Sequence, residues 1–302
     1  MSATFKSLPP QQNFLGIEKE FSAFDSSRIV IVPAPTGNLA SRKTSSNSGP
    51  RAVIEASHSL ERFDVETKRE ISREQGIATI PYLVLDSKKM EASLQELHQT
   101  VLSLIGLNKF VVTLGDVCRI SSALIAAFAR KSESLSVLQL SALSNVREET
   151  HRTKYSDSGV MARVCEFLDP SRIVQVGIQT QSKEEAEFIC DEQIKVFYAH
   201  EIHGGLYTRL LKYWDDAVAE QLTESVYITI NVNALDPSLM PATDTPEPDG
   251  LERNEVTRCL KKVCRTRKIL GFDLVGFKPL QTLRSPDVVA AKLVLKLLNY
   301  AL

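Results

Sequence analysis

Apolar runs of strand length recur along the chain: "RIVIVP" (28–33), "GIATIP" (76–81), "KFVVTLG" (109–115), "LSVLQL" (135–140), "RIVQVGI" (172–178), "IKVFYA" (194–199), "VYITIN" (226–231) and "KILGFDLV" (268–275). They are near-continuous rather than alternating. A strand with one wet face alternates apolar and polar residues, so these runs belong to strands covered on both faces, the pattern of a parallel sheet. Helix-length segments lie between them and carry start signals. Ser48-Gly49-Pro50 precedes "RAVIEASHSLERF", Asp86 precedes "KKMEASLQELHQTVLSLI", and Ser285-Pro286 precedes "DVVAAKLVLKLLNYAL". A polar cap with proline in the first turn is how helices commonly open. Alternating strands and helices predict an α/β protein, as a doubly wound open sheet or a closed eight-stranded barrel. Periodicity does not separate the two.

With 302 residues, 43% of them hydrophobic, the chain can bury a large core. No internal repeat or mid-chain linker interrupts it, so residues 1–302 read as a single domain, with 1–27 as an N-terminal extension before the first strand. The stretch "NLASRKTSSNSGP" (38–50) reads as a mobile loop. A net charge of −1 gives no basic excess for nucleic acid. No apolar run has membrane-spanning length, and "MSATFKSLPPQQNF" lacks an apolar signal core. Five cysteines, an odd number without close pairs, suit a reducing compartment. A cytoplasmic location is expected.

Sites in parallel α/β folds form where strands end. After the third strand, Gly115-Asp116 turns the chain toward a helix that carries Val117 and Cys118 near its start. After the fourth, Ser141, Leu143 and Asn145 recur at a spacing of two. After the seventh, "INVNALDPSLMP" places Asn231 and Asn233 two apart, on one side of the chain, before an Asp236-Pro237 turn. Arg147, His151 and Asp157 follow the fourth strand and are candidates for a polar cleft. Asp116 and Asp273 read as structural hydrogen-bonding groups near strand ends. Cys118, Cys259 and Cys264 read as packing thiols rather than reactive ones. His200 and His203 have a spacing that suits a metal, but only Glu201 stands with them.

This layout resembles the ureohydrolase superfamily of arginase, agmatinase and formiminoglutamase. The family's G-G-D-H-S element is similar to Leu114 through Cys118, and its D-A-H-x-D element to Ser141 through Asn145. Its S-x-D-x-D-x-x-D-P element is similar to Thr229 through Pro237. "TPEPDGL" (245–251) resembles the family's G-T-P-x-P-G-G-L stretch. Gly177-Ile178-Gln179 resembles its G-I-R, and "FDLVGFKP" its D-x-x-E-x-x-P, with Gly276 at the glutamate position. The resemblance runs from about residue 28 to the C-terminus. It implies a three-layer α/β/α arginase-like fold around an eight-stranded, mostly parallel sheet. It also implies assembly, with a homotrimer expected.

In active members the first three elements supply two histidines and four aspartates to a pair of manganese ions. The matching positions here hold Val117, Ser141, Leu143, Asn145, Asn231 and Asn233, which the resemblance marks as vestigial metal-site positions. They contribute no charge against the four positive charges of two divalent ions. Asp116, Cys118, Asp157 and Gly276 would line a remodelled pocket, Asp157 lying near the family's proton-shuttling histidine. These departures lead to the expectation of a catalytically inactive arginase-like protein, a pseudoenzyme, without a manganese cluster or other cofactor. It would act by binding a small ligand or a protein partner. The alternatives are a regulatory subunit of an active enzyme, or an enzyme with metal-free chemistry in the remodelled pocket.

Overall fold

The computed structural model describes residues 5–38, 43–44, 48–147, 155–204 and 213–302. Most of the segment expected as a mobile loop after the first strand lies outside the described residues, as does His151. Each apolar run forms a strand: β1 (Ile29–Ala34), β2 (Ile77–Thr79), β3 (Phe110–Gly115), β4 (Leu135–Leu140), β5 (Ile173–Ile178), β6 (Lys195–Tyr198), β7 (Ser225–Asn231) and β8 (Lys268–Val275). They make one eight-stranded sheet in the order β2-β1-β3-β8-β7-β4-β5-β6, with every pairing parallel. The sheet is open, ending at β2 on one side and β6 on the other. This resolves the choice between open sheet and barrel.

The main helices are α1 (Gly49–Ser57), α2 (Met90–Gly106), α3 (Ile120–Ala129), α4 (Val160–Cys165), α5 (Lys183–Asp191), α6 (Trp214–Gln221), α7 (Arg253–Thr266) and α8 (Ser285–Ala301). The expected starts hold with small shifts. Asp86 accepts a hydrogen bond from the Lys88 amide and opens a short 3₁₀ turn that runs into α2. Ser285 is the first residue of α8, not its cap.

Helices α1, α6, α7 and α8 cover one face, and α2, α3, α4 and α5 the other. Strand alternation divides the side chains between two cores. Ile29 and Ile31 of β1 point into one core, Val30 and Val32 into the other, and all four are fully buried. Burying such a side chain contributes roughly 1.5–3 kcal/mol, which is why runs without polar alternation are needed here. The apolar C-terminal helix packs in the first core, and its Lys296 pairs with Asp64 at 2.8 Å and Glu66 at 2.6 Å.

One carboxyl group sits inside the sheet itself. Asp273, fully buried in β8, accepts hydrogen bonds from Tyr227 Oη at 2.8 Å and Thr229 Oγ1 at 2.6 Å. It lies within the strand, opposite Thr229 and Thr113, rather than at a strand end. Burial pushes its carboxyl up to about 7, against the lowering effect of its hydroxyl donors. The folded state therefore holds a proton that the unfolded chain releases near the ordinary aspartate value of about 3.9. Stability is greatest below that ordinary value, declines as pH rises, and levels off above about 7. Asp273→Asn removes this dependence, because the amide stays neutral and the hydroxyls can accept as well as donate. Denaturant titrations from pH 4 to 8 are expected to show a stability difference, variant minus native, that grows toward the alkaline side by up to about 4 kcal/mol, at about 1.4 kcal/mol per pK unit. A difference that does not change with pH would refute the assignment.

Candidate functional site at the carboxyl ends of the strands

Register brings the expected residues together. Ile230 of β7 lies opposite Leu140 of β4, so Asn231 and Ser141 leave the sheet at the same level. Just beyond, Asn233 bridges the two strand ends. Its Oδ1 accepts from the Ala142 amide at 3.2 Å and from Ser141 Oγ at 3.4 Å, and its Nδ2 donates to Thr245 Oγ1 at 2.9 Å. Asn231 Oδ1 accepts from the Asn233 amide at 3.2 Å and caps a 3₁₀ turn. Asp236 then closes the Asp-Pro turn by accepting from Ser238 N at 2.9 Å and Gly250 N at 3.2 Å.

Asn145 sits at φ +56, a left-handed conformation that asparagine tolerates better than most residues. Its Oδ1 accepts from Ser141 Oγ at 3.3 Å and Gln139 Nε2 at 3.2 Å, and its Nδ2 donates to the Asp157 carbonyl at 2.9 Å. Behind it, Gln175 Nε2 donates to Gln139 Oε1 at 2.7 Å and to the Ser144 carbonyl at 2.7 Å. The sequence reading missed this glutamine pair. The available signal is a glutamine inside each of two apolar strands, since a polar residue there must find a partner.

The other candidates divide by role. Asp116 is structural: its carboxylate accepts from the Thr36 and Gly49 amides at 2.7 and 2.6 Å, tying β3 to the loop after β1 and to the start of α1. Burial nonetheless holds its carboxyl above the usual range. Asp157 is partly exposed. It accepts from Arg119 N at 2.8 Å and Arg119 Nη2 at 2.6 Å. Burial alone would raise its pKa, but the Arg119 contacts hold its carboxyl below the usual range. Cys118 Sγ points at Asp157 Oδ1, 3.3 Å away. Burial and the neighbouring carboxylate push the thiol well up, so it is no nucleophile at neutral pH. Val117 is half-buried and packs against the core beneath α2 and α3. Leu143 is half-buried and bridges to Thr180. His200 and His203 stand apart from this cluster: His200 lies against the Tyr198 ring and His203 contacts Glu255 Oε2 at 3.2 Å. Cys259 is buried and Cys264 partly so.

Gly276 follows β8 at φ +76, and a Cβ placed there would collide with Asn231 Oδ1. The asparagine side chain thus occupies the space that any side chain at 276 would need.

The six positions that the resemblance assigns to manganese supply four neutral oxygens, from Ser141, Asn145, Asn231 and Asn233, and no carboxylate or imidazole. These oxygens are already hydrogen-bonded to one another or to nearby groups. Among the described residues, no group of three or more His, Cys, Asp or Glu side chains converges as a metal site. This donor set does not fit a pair of divalent cations.

The family model described as "Arginase family" matches residues 27–299. The chain is 30% identical over 302 residues to an N(1)-aminopropylagmatine ureohydrolase of Synechocystis sp., covering 98% of this chain and 95% of the relative. It is 28% identical over 272 residues to the protein of the same name from Thermus thermophilus, covering 90% of this chain and 89% of the relative. In fold it is similar to the agmatine ureohydrolase of Thermoplasma volcanium, with a TM-score of 0.80, 21% identity, and coverage of 99% of this chain and 95% of the other.

These relatives correct the expectation of a pseudoenzyme. Proteins named as ureohydrolases match nearly the whole length of the chain, which points to an enzyme rather than to a protein that acts by binding alone. Classing the chain as no enzyme and as metal-free rested on side chains at six positions, and it is corrected with it. Those positions describe one donor set, whereas the similarity extends over the entire scaffold that shapes the cleft.

The coupling of Gly276 to Asn231 is open to measurement. Gly276→Ala is expected to cost about 2–4 kcal/mol, from a left-handed backbone and from overpacking. In an Asn231→Ala background the collision is gone and about 1 kcal/mol of backbone cost remains. A double-mutant cycle by denaturant unfolding checks this, and equal costs in both backgrounds would disprove the contact.

Proposed function

The chain belongs to the arginase family, and on that premise we propose that it is an enzyme of the ureohydrolase kind, hydrolysing a C–N bond of a small cationic guanidino compound. The observation that carries this reading is the similarity to a protein named N(1)-aminopropylagmatine ureohydrolase, over 98% of this chain and 95% of that one. The proposed site is the cluster at the carboxyl ends of β3, β4, β7 and β8. Its residues favour a long, positively charged, hydrogen-bond-donating substrate. The Asp157 carboxylate, ionised at neutral pH and partly open to solvent, can accept from a guanidinium or ammonium group. The neutral strand-end oxygens can accept further N–H groups without the repulsion that packed carboxylates would impose on one another. Asp157 binds and orients in this reading. A carboxylate held below the usual range is a weak base, so it is not assigned the activation of water. Because the donor set at the six positions does not fit divalent cations, no step is routed through a metal.

Purified protein should release urea from N(1)-aminopropylagmatine faster than from agmatine, and faster from agmatine than from arginine. Asp157→Asn should raise KM more than it lowers kcat. Failure to release urea from all three compounds would overturn the reading.

A second reading is favoured by the neutral, self-bonded donor set: a regulatory subunit that assembles with a catalytically complete ureohydrolase. Its signature is no urea release by this chain alone, and a change in the partner's rate of urea release that follows their co-elution. In either case we infer a homotrimer for the isolated chain, with the sedimentation mass as its check; a monomer at micromolar concentration would count against it. A cytoplasmic location is supported by the free cysteines. No helix among the described residues is long and apolar enough to cross a membrane.

A further inference from the structure

The opposite edge of the sheet, where the strands begin, carries a second cleft of about 630 Å³. It lies where β1, β3, β8 and β7 begin, and these four strands are consecutive neighbours in the sheet. Arg28 immediately precedes β1, Lys109 precedes β3, and Lys268 opens β8, while Lys131 follows α3. All four cations line the cleft, and among the described residues no carboxylate does. Asp25, outside the lining, acts electrostatically on Lys109, whose ammonium also lies 3.4 Å from the Asp25 backbone carbonyl.

A bland account exists for such cations. Helix C-termini gather at this edge, and basic residues commonly offset their exposed carbonyls. Here the ends of α2 and α3 are satisfied by backbone. After α2, Asn108 adopts φ +57 and the Lys109 amide donates to the Leu104 carbonyl at 3.1 Å. After α3, the Lys131 and Ser132 amides donate to the Phe128 carbonyl at 2.9 and 3.1 Å. Of the four side chains, Lys109 is committed, donating to the carbonyls of Phe24 at 2.7 Å and Ser27 at 2.6 Å. Arg28 spends one N–H on Gln75 Oε1 at 3.1 Å. Among the described residues the Lys131 and Lys268 ammonium groups have no partner.

We propose that this cleft binds a small phosphate-bearing anion with at least two phosphoryl groups. Four cations without a lining acid match a ligand of several negative charges. Lysine ammonium groups serve as point charges for phosphate oxygens, and the guanidinium has donors to spare. A monocarboxylate would leave most of that charge unanswered. Phe128 and Ile269 also border the cleft. The site is at the far edge of the sheet from the guanidino-compound cleft and does not depend on the reading given to that cleft.

The test is titration calorimetry of the full chain with inorganic pyrophosphate, ionic strength being held constant with potassium chloride. Saturable binding is expected. The double variant Lys131→Gln/Lys268→Gln should weaken it by about tenfold or more, and Arg28→Gln should weaken it by a smaller factor. All three side chains are exposed, so the variants should keep the native fold, which a thermal melt verifies; the single Lys131→Gln and Lys268→Gln variants serve if the double one does not. Asp157→Asn, at the other edge, should leave pyrophosphate binding unchanged. Absence of saturable binding, or binding that survives the double lysine variant undiminished, would overturn the proposal.

Discussion

Three buried amides run in one direction across two strands. Gln175 donates to Gln139, Gln139 to Asn145, and Asn145 to the backbone carbonyl of Asp157. Gln139 and Gln175 are direct partners in the β4–β5 register. Each link orients the next, and bonds arranged head to tail polarise one another in a medium of low dielectric constant. The line of amides ends at Asn145, whose left-handed backbone and side-chain amide hold the Asp157 carbonyl over the strand ends, and Asp157 in turn receives Arg119 at the start of α3. The carboxyl edge of the sheet is assembled around that line of amides.

The underlying constraint is the double covering of the sheet. Side chains within the strands enter one of two apolar cores, so polar chemistry is confined to the two edges or must be fully satisfied inside. The chain uses all three options. At the carboxyl edge, neutral amides and hydroxyls bond one another. At the amino edge, cations line a cleft in which no described carboxylate takes part. Inside, Asp273 survives because hydroxyl donors surround it and because it can hold a proton.

The strands were legible because burial on both faces leaves an unmistakable apolar run. The strand-end candidates were legible from their place after the strands, and Ser141, Asn145, Asn231 and Asn233 do converge, but not by strand alternation: Asn233 sits in a 3₁₀ turn capped by Asn231, and residues 141–145 lie beyond the end of β4. Strand order was not, since a period of two says which way a side chain points but nothing about which strand lies beside it. For the same reason the glutamine pair stayed hidden: residues 139 and 175 are joined only by the β4–β5 pairing. The Arg119–Asp157 pair was hidden too, because it closes between two loops. The inference from six side chains to an inactive protein failed for a different reason. Local donor chemistry answers whether those atoms suit a given ion, while the reaction belongs to the whole cleft, whose frame the named relatives share.

The surviving carboxylates show why the strand-end residues are amides. Asp116 faces two backbone amides, Asp157 faces the Arg119 amide and guanidinium, and Asp273 faces two hydroxyls. Each is met by donors. Asn145 is met on one side by donors, Gln139 Nε2 and Ser141 Oγ, and on the other by an acceptor, the Asp157 carbonyl. An ionised carboxylate at 145 could accept the first two, but it would set a negative oxygen against that carbonyl in a site only 4% exposed. Only a side chain that accepts at one end and donates at the other satisfies both neighbours. Asparagine tolerates the left-handed backbone found there and carries both functions on one short neutral amide. The amide at 145 thus follows from the direction of the hydrogen bonds it meets, donors on one side and an acceptor on the other.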